Sequence, residues 1–387
     1  MSKTAALTPA ARVEAAFRKQ RIDKIATYHT GWSSKIGSDL LGRDAYVGGG
    51  INQWRESVAL WDGPAAHAEY VERTRRDSYD LAKIIRNDLI RISYWRMTEK
   101  PARKIDTYTF LYGNPDGDYV VRQMDPETEL YQVIDERKSH VPQTVDDLEA
   151  SVASAEKSLA NYRPTKESYR EQLGAVEYFG PDYAIPAPGY GLCIPRDPLW
   201  LEATLLRPDL VERHLDYQCT VACRQIEALK DLPLPYILGG GDFCGNNGPL
   251  YSPRIFHEMM LPRLKKMSET AHRCGKYAGF ASDGNLWPIA DDLFGASGTD
   301  AFYEIDHDAG MDLRKLRTKY PNLTCFGNIS SATLHNGTRE RVVAETRENA
   351  EIALELGGCL CGVSNQVVAP TPMANVMAML ETLEKYR

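Results

Sequence analysis

Short apolar runs that each stop at a polar residue and hand over to a helix constrain this chain most. Residues 275–306 show the unit plainly. The run Tyr277–Ala281 stops at Ser282-Asp283-Gly284-Asn285, a helix-like segment follows, and a second run, Ala301–Tyr303, stops at Glu304-Ile305-Asp306. Buried parallel strands read as short continuous apolar runs, and a parallel pair needs a crossover helix between its members. Ligands of parallel α/β folds gather at the carboxyl ends of the strands. Asp283, Asn285, Glu304 and Asp306 are therefore site candidates before the rest of the chain is considered.

The same punctuation recurs along the chain. Strand-like runs at 25–30, 89–93, 235–239, 277–281, 301–303, 323–326 and 359–363 end at His29, Arg96, Asp242, Asp283, Glu304, Asn328 and Asn365, and residues 183–191, too rich in proline and glycine for a regular strand, read as a further strand end running into a loop at 183–190. Helix starts punctuate the chain: Asp197-Pro198, Ser252-Pro253, Thr338 and Thr371-Pro372 offer a cap, and Arg207-Pro208 offers a proline suited to the first turn. Pro262 predicts a kink in the helix that Ser252 opens. Eight β-then-α units predict an α/β fold of the (β/α)8 TIM-barrel type. An open doubly wound sheet is the alternative, but the glycine-rich VGGGIN at 47–52 lacks GxGxxG spacing and reads as a turn that opens no clear helix.

One stretch breaks the alternation. Residues 104–135 place NPDGD between TYTFLYG and YVVRQM, an Asp-Gly turn between β-rich runs. This is an antiparallel hairpin excursion in the N-terminal half of one domain spanning 1–387.

Composition excludes several classes. The net charge is −7 with no basic cluster, which argues against a nucleic-acid partner. No apolar run reaches the length of a membrane span, and Thr8-Pro9 opens an amphipathic helix instead of a signal peptide, so a cytoplasmic location is expected. The eight cysteines are scattered without paired CxxC groups and read as core residues, not zinc ligands or disulfides.

The strand ends supply the chemistry. His29 is either a site imidazole or a hydrogen-bonded structural histidine. Tyr94, Trp95 and Arg96 form an aromatic–arginine end that suits a carboxylated or aromatic ligand and equally suits rim packing. Asp242 and Asn246 follow a glycine-rich strand end, where close backbone approach is expected. Asp283 and Asn285 are equally suited to capping the next helix.

The C-terminal half carries a recognisable series: GGGDFCGNNGPLYSPRIFHEMMLPRLKKM, KYAGFASDGNLWPIADDL, FGNIS with TLHNGTRERVV, and GVSNQVVAPTPMANVMAML. From about Asp197 to Arg387 it resembles the uroporphyrinogen decarboxylase superfamily, which also holds corrinoid-linked methyltransferases. The resemblance implies a TIM-type barrel with its site at the C-terminal mouth. It also exposes departures. The arginine-rich motif MRQAGRYMP, which follows the first strand in the decarboxylases, is replaced by YHTGWSSKIG. The places of the methyltransferases' zinc ligands, His-x-Cys and a later Cys, hold Ala281-Ser282-Asp283 and Asn365.

The resemblance thus points to a methyltransferase without a zinc-thiolate site. It would move a methyl group from a small methoxylated or methylamine-type substrate to a corrinoid carried by a partner protein. Asp283 or His29 is the expected acid, with Asp242 and Glu304 orienting it. Tyr28, Tyr94, Trp95, Arg96, Asn246, Asn285, Asn328 and Asn365 are expected around the substrate. No tightly bound cofactor is expected. If a metal is held, His29, Asp242, Asp283 and Glu304 are its ligands, carboxylates and imidazole suiting a harder cation. A homodimer is compatible with the sequence. Decarboxylation of another carboxylated substrate, and a non-catalytic barrel that binds a small molecule, are the alternatives.

Overall fold

The computed structural model describes residues 7–92 and 95–387. Its centre is a parallel sheet of seven strands. We number strands β1 (Ala26–Thr27), β2 (Thr109–Gly113), β3 (Tyr119–Met124), β4 (Tyr131–Arg137), β5 (Ala187–Gly191), β6 (Tyr236–Gly240), β7 (Tyr277–Ala281), β8 (Ala301–Tyr303), β9 (Thr324–Phe326) and β10 (Cys359–Cys361). The parallel sheet has the order β1-β10-β9-β8-β7-β6-β5. Registers such as Ala26↔Leu360, Gly279↔Ala301 and Ala278↔Ile237 keep the strands side by side.

Its two outer strands meet the same segment. Asp88 N donates to Thr27 O on β1 at 3.0 Å, and Ile90 N donates to Ala184 O, ahead of β5, at 2.8 Å. The strand expected at 89–93 is thus reduced to a single parallel bridge, Leu89↔Ala184, and Ser93 lies outside the described residues. One buried cluster collects side chains from all these segments: Ala26 and Tyr28, Leu89, Ala184, Tyr236 and Leu238, Ala281, Ala301 and Tyr303, Phe326, and Leu360. Helix α1 (Pro9–Phe17), capped by Thr8, closes one end of that cluster. Its Phe17 ring lies 4.6 Å from Tyr236, 4.7 Å from Tyr277 and 5.9 Å from Phe326.

The helices that cover the sheet begin where capping chemistry puts them. Side chains of Asp197, Ser252, Asp312 and Thr338 each accept a backbone N–H of the first helical turn. The kink expected at Pro262 takes a specific form: Phe256–Met260 is a π-turn immediately ahead of the helix Leu261–Arg273. A proline ring clashes with the carbonyl four residues earlier, so the chain widens there before it continues.

The N-terminal half departs from the expected pattern in two places. The glycine-rich stretch opens a helix after all. Helices α2 (Ser34–Leu41), α3 (Gly50–Asp62) and α4 (Pro64–Ile84) follow one another. The excursion is larger than a hairpin: Arg103–Lys104, β2, β3 and β4 form a four-stranded antiparallel meander. Phe110, Tyr112, Met124 and Tyr131 on one face of it pack against Trp54 and Val58 of α3. Gly50 permits that contact, because a Cβ there would stand 2.5 Å from Tyr131 N and 2.6 Å from Glu129 O. The Glu129 carboxylate in turn accepts the Ser34 and Lys35 N–H groups at 2.7 and 2.8 Å, fixing the start of α2.

Candidate active site

A cavity of about 660 Å³ opens at the carboxyl ends of β5 to β8. The close approach that the glycines promised is present: a Cβ on Gly189 would lie 2.0 Å from Gly239 N, and one on Gly241 2.2 Å from Leu192 O. With no side chains between these backbones, the strand ends leave room for a ligand. Asp242, Asp283 and Glu304 line the cavity with Tyr190, Tyr303, Trp95, Asn365, Gln366 and Arg91. Its volume lies in the range of small-molecule sites.

Glu304 is the most perturbed of the three acids. It follows β8 with φ of 60°, a left-handed conformation that a non-glycine residue adopts at a cost. Burial, then the neighbouring Asp283 charge, pushes its carboxyl up to about 7, with Arg91 opposing. It therefore carries a proton for much of the time near neutrality, as a general acid or base requires.

Asp283 sits beside it. Burial, then repulsion from Asp242 and Asp306, raises its carboxyl, and a hydrogen bond from Asn365 opposes the rise. Asn365 Nδ2 lies 3.2 Å from Asp283 Oδ1, and Asn365 Oδ1 accepts the Gln366 N–H at 2.8 Å, which fixes the amide orientation. The two positions that the sequence resemblance aligns with zinc-binding sulfur are thus adjacent in space, but they hold a carboxylate and an amide. Between them, buried Ser282 accepts the Phe243 N–H through Oγ at 3.0 Å and serves the backbone. A thiolate-bound zinc does not fit this set, and among the described residues no cysteine lines the cavity. Asp242 stands at the rim, half-exposed and paired with Arg196.

The other expected residues are dispersed. His29 lines an adjoining chamber instead of the main cavity. Burial, helped by the Arg387 charge, lowers its imidazole to about 3, so the ring is neutral and unsuited to act as the acid. His29 therefore does not join the three carboxylates, and among the described residues no group of three or more His, Cys, Asp or Glu side chains is placed to hold a metal ion. Tyr28 is buried in the sheet interior, its hydroxyl 3.5 Å from Arg91 Nη1.

Arg96 turns away from the mouth. Its Nε donates to Glu56 at 2.9 Å, and its Nη1 to Glu171. Asn328 is buried and donates to Ile305 O and Met311 O at 3.2 and 2.9 Å, holding the loop after β8. Asn285 accepts the Trp287 N–H at 3.1 Å and starts a helical turn, and Asp306 accepts the N–H groups of Gly284, Asp308 and Ala309. Asn246 lies in the turn between the bridged pairs Cys244–Gly245 and Gly248–Pro249 and is not among the cavity residues. Tyr94 falls outside the described residues.

Arg91 and Tyr303 are in the cavity without having been singled out from the sequence, whereas Tyr190 belongs to the loop expected at a strand end. The Tyr303 hydroxyl donates to Gly239 O at 2.6 Å, and the Arg91 guanidinium carbon lies 5.6 Å from the Tyr303 ring centroid. An arginine inside an otherwise apolar strand-like run was the available signal for Arg91.

Residues 207–386 match the model of the uroporphyrinogen decarboxylase (URO-D) family. Among solved structures, a methyltransferase from Methanosarcina mazei superposes with a TM-score of 0.65 over 98% of this chain and 99% of that one, at 16% identity. No curated protein matches the sequence. Among the described residues no helix is long and apolar enough to cross a membrane.

Proposed function

For a chain whose residues 207–386 match the model of the uroporphyrinogen decarboxylase family, we propose a proton-assisted demethylation at the mouth of a closed (β/α)8 barrel. The substrate is a small methoxylated compound, and the methyl acceptor is a corrinoid on a partner protein. The barrel reading rests on the backbone hydrogen bonds from 88–90 to Thr27 of β1 and to Ala184 just ahead of β5. The whole chain is read as one such domain, with the meander as its insertion.

The observation that carries the proposal is Glu304, a carboxyl poised near neutrality in a ligand-sized cavity. The corrinoid supplies the nucleophile that takes the methyl carbon. When the carbon–oxygen bond breaks, its electron pair stays on the oxygen, and Glu304 delivers its proton to that oxygen. A methoxylated donor needs such an acid because its leaving group is an alkoxide or phenolate. An amine leaving group departs neutral, so the methylamine branch gains less from Glu304. Asp283 keeps the Glu304 proton in place by repulsion, and the acid role expected of Asp283 or His29 passes to Glu304. The fold shared with a methyltransferase supports the same reading.

Incubation with a reduced corrinoid protein and a panel of methoxylated donors tests it. The expected result is a change in the corrinoid's visible spectrum matched by the demethylated product. No product from any donor overturns it. A second reading, loss of carbon dioxide from an acid held by Arg91, is favoured by the family match. In that case the carbon–carbon bond breaks and Glu304 protonates the carbon left behind. Carbon dioxide release without a corrinoid selects this reading.

A further inference from the structure

Four buried polar atoms without a regular hydrogen bond belong to residues that line one chamber beside the mouth, and Thr30 also interacts with the Tyr28 hydroxyl. The atoms are His29 Nε2, Thr30 Oγ1, Trp32 Nε1 and Asn87 Oδ1. All four residues line a chamber of about 80 Å³, and none is more than 5% exposed. Buried polar groups are normally paired, and leaving one unpaired costs stability. The main cavity at the strand ends, though far larger, has no such atom in its lining. The gathering of four in so small a space is the signature of a receptor for a polar group.

The donor character of the chamber can be read atom by atom. His29 Nδ1 accepts the Val363 N–H at 3.3 Å, so the proton of the neutral ring sits on Nε2. Trp32 Nε1 can only donate. The two rings meet edge to face with centroids 5.2 Å apart, which holds both N–H vectors in fixed directions. Thr30 adds a hydroxyl, and Asn87 offers either end of its amide by rotation about the last bond. Arg91 lines the same chamber and brings a positive charge.

The space holds two or three waters at roughly 30 Å³ each, which is also the room a carboxylate and its first carbon need. Arg91, Ile92, Trp95 and Gln366 line both the chamber and the main cavity, so a ligand lying in the mouth can extend an arm into the chamber.

We propose that this chamber is an oxyanion receptor that takes the carboxylate of a small organic acid between His29 Nε2–H, Trp32 Nε1–H and Arg91. Thr30 and Asn87 complete the ring of hydrogen bonds. Fixed neutral donors suit an anion because they are already oriented before it arrives and bring no counter-charge that must be desolvated. The inference concerns binding alone and stands apart from the demethylation reading.

The test uses the full-length protein and calorimetric titration with sodium acetate, sodium formate and acetamide at constant ionic strength. Trp fluorescence is the second readout, because Trp32 and Trp95 both line the chamber. The expected result is saturable one-site binding of acetate and formate in the millimolar range, with acetamide at least about tenfold weaker. Trp32→Phe keeps most of the ring and removes the N–H; it should weaken acetate about tenfold. If Trp32→Phe does not fold, Arg91→Gln carries the same expectation. Equal affinity for acetate and acetamide, no saturable binding of either anion, or acetate binding unchanged in a folded variant overturns the proposal. A failed demethylation assay leaves all three outcomes readable.

Discussion

The strand ends of the two halves of the chain do opposite things. The C-terminal half presents acids: Asp242, Asp283 and Glu304 stand on successive βα units, and burial, then repulsion from Asp283, pushes the Glu304 carboxyl up to about 7. The N-terminal half presents donors: His29, Thr30 and Trp32 after β1, and Arg91 after the Leu89 bridge, line the small chamber. The acidic half is built from regular units, and the donor half from an irregular one with a meander attached. The proposed roles thus fall to different parts of the chain, proton transfer to one half and ligand recognition to the other, so they should be separable by substitution.

Glu304→Gln should test that separation hardest. Loss of a positioned acid lowers kcat by about 10²–10⁴-fold, while acetate binding in the chamber should hold. If acetate binding falls with turnover, the two halves do not act separately. Trp32→Phe is the converse, with affinity weakened and the acid limb of the reaction intact.

The second largest effect is on stability. A carboxyl whose folded value is raised to about 7 from 4.5 binds its proton more tightly in the native state. Its stabilising contribution is complete below pH 4.5 and is lost as pH rises through 7. Removing the charge with Glu304→Gln should therefore stabilise the protein at pH 8 by roughly 2–3 kcal/mol and leave it almost unchanged at pH 4.5. Urea melts of both proteins at the two pH values measure this, and equal midpoints at pH 8 would show that Glu304 is not held in its protonated form.

Asp283→Asn removes the charge that helps raise Glu304. The Glu304 carboxylate then forms more easily, so the alkaline limb of the rate profile should move to lower pH. A limb that stays in place assigns the titration to another group. Gly49→Ala acts through packing: its Cβ would meet the Trp95 ring at 2.2 Å. Forcing that ring aside should cost about 1–3 kcal/mol and change the Trp fluorescence. The smallest effect is expected from Asp242→Asn. Asp242 and Arg196 are both half-exposed, so breaking their pair should change stability by less than about 1 kcal/mol.

Much of the acidic half was legible because it is local. A strand of five residues such as Tyr277–Ala281 is apolar throughout, and its end is marked by the change to Ser282 and Asp283. Helix starts were legible for the same reason, since Asp197, Ser252 and Thr338 act within one turn of themselves. Asn328 and Asn285 share the same strand-end position as Glu304, yet both side chains turn to the backbone. Position on a strand end does not say whether a polar side chain serves a ligand or its own loop. The glycine triplet was misread because its reason is distant in sequence: Gly49 faces Trp95 and Gly50 faces the backbone at 129–131.

The sequence by itself determined the alternation of strands and helices, the caps that start them, and the carboxylates that end β6, β7 and β8. Those follow from the periodicity and chemistry of neighbouring residues. Only the tertiary structure decided which carboxyl holds a proton, because that depends on burial and on charges brought together from separate strands. It also decided that Asp283 and Asn365, far apart in the chain, share a hydrogen bond. The chamber beside the mouth is likewise tertiary: its buried polar residues come from 29–32 and 87, and only folding brings them to one half-open space.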